Sequence, residues 1–100
     1  MSTPQQRVHD ATLALLNLLS TGEEATTAEA IELRCELAEA TAVAGRLEDA
    51  FYQADELLKD AQREYRPDDP AIARVRRTVS AIEEAAHGAR RSDPQDFETP

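Results

Sequence analysis

The sequence holds one cysteine, three glycines, four aromatic side chains and no tryptophan in 100 residues. Each scarcity removes a class of protein. A lone Cys35 closes no internal disulfide and holds no structural zinc by itself, so neither a disulfide-stapled scaffold nor a zinc finger fits. Few glycines, and only 19 positions carrying Ile, Leu, Val or Phe, leave too little material for a β-sandwich or barrel. No apolar run approaches the roughly 20 residues of a membrane span. The N-terminus also lacks the basic flank and small-residue cleavage site of a signal peptide, which predicts a soluble, cytoplasmic protein with no membrane partner. One lysine and ten arginines face 20 acidic residues, for a net charge of -9. With no basic stripe and no aromatic RNA-binding motif, that balance argues against nucleic acid as a partner.

What is present is helix-forming. Of the 41 apolar positions 18 are alanine, and Glu, Arg and Leu are abundant, which points to an all-α domain with a thin, closely packed core. Charge is uneven along the chain: residues 1–45 sum to -5, residues 67–91 to +1, and residues 92–100 to -3. Such polarity suits head-to-tail self-contact or a basic partner at the acidic end, and equally suits a solvated surface.

Four helices follow from the start and stop signals. Thr3-Pro4 opens the first, with Thr3 as N-cap and Pro4 at the first helical position, and it runs to about Ser20 before Gly22. Its apolar set of Val8, Ala11, Leu15, Leu18 and Leu19 is widened by Leu13 and Leu16, which predicts burial on more than one side. Thr26 followed by Glu29 fits a reciprocal capping box for a second helix over 27–44, ending at Gly45. Its expected core stripe is Ala30, Leu33, Leu37, Ala40 and Ala44, beside a row of Ile31, Ala38 and Ala42. A third helix over 47–65 starts so soon afterwards that the two must form an antiparallel hairpin. Arg66-Pro67-Asp68-Asp69-Pro70 breaks the chain, and Asp69 caps a fourth helix over 70–87 whose stripe is Ile72, Val75, Val79, Ile82 and Ala86, with Gly88 as its stop. Residues 1–88 thus read as one helical domain and 89–100 as a disordered acidic tail, with Phe97 its only large apolar side chain.

An internal repeat underlies the order. At an offset of 42 residues, Leu33, Leu37 and Ala40 fall on Val75, Val79 and Ile82, while Leu15 and Leu16 fall on Leu57 and Leu58. Helix four repeats helix two and helix three repeats helix one, the signature of stacked helix pairs.

Together, Leu37-Ala38, Gly45-Arg46-Leu47-Glu48-Asp49-Ala50, Ala54, Leu57-Leu58 and the Arg66–Pro70 linker resemble a tetratricopeptide repeat. The likeness is to the 42-residue variety found in kinesin light chains and many bacterial regulators, and covers roughly residues 27–88. It implies antiparallel hairpins touching at Ala38 and Ala50, and a concave groove lined by the first helix of each pair. Carried over position by position, the groove would hold Glu32, Cys35, Glu39, Ala42 and Val43, joined at the 42-residue offset by Arg74, Arg77 and Ala81. It would accept a peptide or helix of a partner protein, with a basic group at Glu32 and Glu39 and a carboxylate at Arg74 and Arg77. The plainer alternative is that these charges are solvated or paired within the chain.

Other constellations lead elsewhere or nowhere. Cys35 lies among Glu32, Glu36 and Glu39, whose charge raises a thiol's pKa and makes a poor nucleophile. His9-Asp10 has no Ser or Cys near it in sequence, and Glu84-Ala85-Ala86-His87 is a single copy of a motif that di-iron bundles need twice. No catalytic, cofactor or metal site is predicted. The first helix, with Leu13, Leu15, Leu16, Leu18 and Leu19 in seven residues, suggests a homodimer interface through Leu13 and Leu16, or else a helix sandwiched between helices two and four. The reading is a non-enzymatic adaptor or scaffold binding another protein. Its alternative is a self-associating bundle that serves as an assembly subunit.

Overall fold

Threonine, proline and aspartate fix where the helices begin. In a computed structural model, which describes residues 3–91, the order is α1 (Pro4–Ser20), α2 (Ala28–Val43), α3 (Leu47–Glu64) and α4 (Pro70–Arg91), with no strand among the described residues. Thr3 caps α1 by accepting a hydrogen bond from the Gln6 N–H at 3.0 Å, with Pro4 next in line where its missing N–H costs nothing. Asp69 does the same for α4, its carboxylate accepting from the Ala71 N–H at 2.9 Å.

At α2 the cap is Thr27, not Thr26: the Thr27 hydroxyl accepts from the Ala30 N–H at 3.2 Å. The reciprocal Thr26–Glu29 box therefore does not form. Thr26 serves a tertiary contact instead, its carbonyl accepting from the Tyr65 hydroxyl at 2.6 Å. The α2–α3 turn closes as a Schellman motif. Gly45 sits at φ +90, its N–H donates to Ala42, and the Arg46 N–H donates back to Thr41. The stop expected at Gly88 is absent: α4 continues through it to Arg91, because a glycine ends a helix only where it takes positive φ, and here only Gly22 and Gly45 do. Residues 92–100, where the acidic tail and Phe97 were placed, lie outside the described residues.

Packing centres on α2, which meets α1, α3 and α4; α3 also meets α4, while among the described residues α1 meets α2 alone. Three neighbours reorder the expected core of α2. Ile31, Cys35, Ala38, Thr41 and Ala42 are buried along with Ala30 and Ala40, whereas Leu33, Leu37 and Ala44 are only half-buried. Small side chains bring the helices close. Ala38 and Ala42 of α2, Ala50 and Ala54 of α3 and Ile82 of α4 form one cluster, and Ile31, Cys35, Leu57, Ala61, Ile72 and Val75 form the other.

The α2–α3 hairpin runs antiparallel, as its distant bonds show: Thr26 with Tyr65, and Arg34 with Asp60 at 2.8 Å. Against α4, α2 runs parallel, since Glu32 meets Arg74 and Glu39 meets Thr78. Among the described residues no helix is long and apolar enough to cross a membrane.

Candidate functional site

Parallel stacking of two copies of one repeat brings equivalent positions face to face. Glu32 and Arg74 are 42 residues apart in sequence and meet as a fork: Arg74 Nε donates to Glu32 Oε1 at 2.8 Å and Nη2 to Oε2 at 3.0 Å. The guanidinium reaches further. Arg74 Nη1 donates to Glu39 Oε2 at 2.7 Å and to the Thr78 hydroxyl at 2.8 Å, and that hydroxyl donates to Glu39 Oε2 at 2.6 Å. One cation thus clamps α2 to α4 at two points, with a fully buried Thr78 closing the ring. Charge-assisted bonds of this kind are the strong ones.

The electrostatics follow the geometry. Arg74's hydrogen bonds hold the Glu32 carboxyl below its ordinary range, against the opposing effect of burial. The bond to Glu32, then the bond to Glu39, raise Arg74 further above a value that already keeps it charged. The thiol of Cys35 is raised chiefly by burial, with Glu32 and Glu39 adding only the least of the effects, so depth and not the acidic surroundings expected from the sequence is the main cause.

The expected groove residues therefore separate into three groups. Glu32, Glu39 and Arg74 are together but satisfy one another. Cys35 and Ala42 lie beneath the surface, because α2 turns that row into the core and not toward solvent. Val43, 56% exposed, and Arg77 and Ala81, also exposed, remain available on this face. Thr78 was not singled out in the sequence, although its place three residues after Val75 and four before Ile82 sets it on the buried face of α4. The pairing of Glu32 with Arg74 did have one, since opposite charges at equivalent repeat positions meet when the two helices stack in parallel.

Arg34, half-buried on the other side of α2, donates to Asp60 and to the Ala25 carbonyl at 2.9 Å, tying the α1–α2 loop to α3. Asp60 also pairs with Arg63 on its own helix.

The second surface is α1. Among the described residues it contributes one buried side chain, Ala11, and packs on α2 only, so it is not sandwiched between α2 and α4. Its far side stays open, with Leu13 at 46% and Leu16 at 57% exposure. Gln6, His9, Leu13, Leu16 and Ser20 are all exposed and recur at alternating spacings of three and four, which puts them in one seam. The seam has two leucines at its centre and polar ends. His9 lies on it, exposed.

Phe51 and Tyr52 are the remaining large exposed apolar side chains among the described residues, and Phe51 borders a notch shared with Glu83, Ala86 and His87 of α4. Among the described residues no group of three or more His, Cys, Asp and Glu side chains is placed to hold a metal ion. Comparison with protein-family models, with curated proteins and with solved structures finds no match for this chain.

Proposed function

We propose that this chain is a non-enzymatic protein–protein interaction module that docks through the open face of α1. The observation that carries the reading is the pair Leu13 and Leu16, roughly half exposed on a helix with a single neighbour. Leucines at seam spacing on a helix bound from one side only are suited to receive another helix. The remaining helices act as the frame that holds α1 in place.

A tetratricopeptide-like frame, as in bacterial adaptors of the cytoplasm, draws support from the order of contacts. Consecutive helices pair as hairpins, and the first helices of successive repeats, α2 and α4, lie side by side.

A second reading, groove recognition by α2 and α4, is favoured by the exposure of Val43 and Arg77 beside the Arg74 network. A ligand carboxylate there would have to compete with Glu32 for Arg74, which makes Arg77 the freer contact. Reversing Glu32 to lysine is a poor probe of that groove, because it sets a cation against Arg74; Arg77→Glu is the cleaner variant.

The test is capture from host lysate by the full chain and by two variants, Leu13→Glu/Leu16→Glu and Arg77→Glu. The captured protein is then purified and mapped by hydrogen exchange. Docking through α1 predicts a partner lost by the double leucine variant, kept by Arg77→Glu, and protecting α1 amides. Loss by Arg77→Glu alone would transfer the function to the groove. Capture unaffected by either would reject both surfaces.

A further inference from the structure

We infer that the α1 face is covered by a second copy of this chain, two α1 helices pairing antiparallel about a two-fold axis; this identifies the occupant of the docking face and rests on that reading. Three features of the chain select this occupant and this orientation.

The first is self-complementarity in shape. A two-fold axis passing between Leu13 and Leu16 sets Leu13 of one copy against Leu16 of the other, twice, so the seam's two leucines cover each other completely. Its polar ends, Gln6, His9 and Ser20, then fall at the rim, where water remains.

The second is the local absence of charge. Of the 31% of residues that are charged, none lies between Ala11 and Gly22, so two copies meet there without opposing like charges despite a net charge of -9 on each. A different protein would need no such gap, since it could place opposite charges there. A copy of the same chain can bring only its own.

The third is charge complementarity at the ends. α1 has no acidic residue in its first turn and no basic residue in its last, unlike α2 and α3, which carry Glu29, and Glu48 with Asp49, in their first turns. Its positive N-terminal end thus lacks the usual carboxylates. In the antiparallel register, the loop that follows Ser20, with Glu23 and Glu24, comes to the N-terminal end of the other copy's helix. The acidic loop, exposed and with no ion pair among the described residues, supplies the missing charge from across the interface. Parallel pairing would set the two acidic loops side by side and is disfavoured by repulsion.

The size of the face bounds the affinity. A 17-residue helix offers a ridge about 25 Å long and about 10 Å wide, less than the roughly 800 Å² per partner of a standard interface. Self-association is accordingly weak and concentration-dependent, on the order of tens of micromolar.

The experiment is sedimentation velocity on the full chain from about 5 to about 500 µM, which brackets that range, for the wild type, Leu16→Glu and Glu23→Lys/Glu24→Lys. The wild type should pass from monomer to dimer. Leu16→Glu should weaken association at least about tenfold by burying a charge, and the loop variant about threefold or more by reversing the end contact.

Orientation is read by mixing Leu13→Cys and Leu16→Cys chains under mild oxidation, Cys35 being buried. The mixed disulfide should exceed the two like-with-like products combined, which random pairing of equal amounts would only equal, whereas a mixed share at or below that statistical level would overturn the antiparallel register. A wild type that stays monomeric throughout, or a dimer indifferent to Leu16→Glu, would overturn the second copy as occupant. Docking through α1 itself survives that failure if Leu13→Glu/Leu16→Glu still loses an identified partner that protects α1, and falls with it otherwise.

Discussion

Replacing Arg74 with alanine removes every bond that ties Glu32 and Glu39 of α2 to a cation on α4. The cost divides by burial. Glu32 is about half exposed, so its share is that of a surface pair, about 0.5–1 kcal/mol after solvent screening. Glu39 is 26% exposed and keeps only the Thr78 hydroxyl as a donor; losing a charge-assisted hydrogen bond there costs about 1.5–3 kcal/mol. Together these give roughly 2–4 kcal/mol, a large fraction of the total of about 5–15 kcal/mol for a domain of this size. The melting temperature should fall by roughly 10–25 °C.

Urea and thermal unfolding followed by helical circular dichroism measure this directly. Glu39→Gln should cost more than Glu32→Gln. Arg74→Lys should recover only part of the loss, since an ammonium cannot reach both carboxylates in fork geometry. A double-mutant cycle should give a larger coupling for Arg74 with Glu39 than for Arg74 with Glu32. Equal costs for Arg74→Ala and Glu32→Gln, within about 0.5 kcal/mol, would refute the clamp and reduce these contacts to surface pairs.

Further outcomes follow from the same structure. Because Arg74 holds Glu32 below its ordinary value of 4.5, the stability Glu32 adds is complete above that value and is lost as pH falls through the lower, folded one. Urea midpoints for wild type and Glu32→Gln should therefore draw together as pH falls below about 5, and parallel curves would contradict this. Two glycine substitutions should act in opposite directions. Gly45→Ala forces a Cβ onto φ +90 and costs about 1–2 kcal/mol, while Gly88→Ala, inside α4 with open space around its Cβ position, should add up to about 1 kcal/mol; thermal melts read both. Gln53 has a buried carbonyl oxygen without a partner, so Gln53→Met should raise the urea midpoint by about 0.5–1 kcal/mol of stability, and a loss would show that the amide is satisfied by water.

Helix boundaries, the hairpin and the capped start at Asp69-Pro70 were legible in the sequence because each rests on local chemistry: a hydroxyl or carboxylate before a run of period 3.6, and a proline where no donor is needed. Where sequence reasoning erred, two local solutions were close in energy and tertiary contacts chose between them. Thr26 and Thr27 are both competent caps, and Tyr65 takes the carbonyl of the first. Gly88 could have ended a helix, but nothing turns the chain there. On α2, two adjacent apolar rows gave nearly the same pattern, and only the presence of three neighbours places Ile31 and Cys35 deeper than Leu33 and Leu37.

The candidate site was half legible. Glu32 and Glu39 were placed on one face by the resemblance, and Arg74 by the 42-residue offset, yet whether they would face a ligand or one another depended on the parallel contact of α2 and α4, and Thr78, a polar side chain at core spacing, was passed over. Helix α1, read as buried on several sides from its leucines, proved to have one neighbour, since composition records how much apolar surface a helix carries and not whether this chain covers it.

The central claim is that the outer face of α1 is a surface made for a partner and not part of the core, and the stability of Leu13→Glu/Leu16→Glu tests it most directly. Measured as a dilute monomer, this variant should keep its helical circular dichroism and its urea midpoint to within about 0.5 kcal/mol per substitution, as exposed positions do. Loss of helical signal, or destabilisation of several kcal/mol, would show that these leucines belong to the core and would contradict the account.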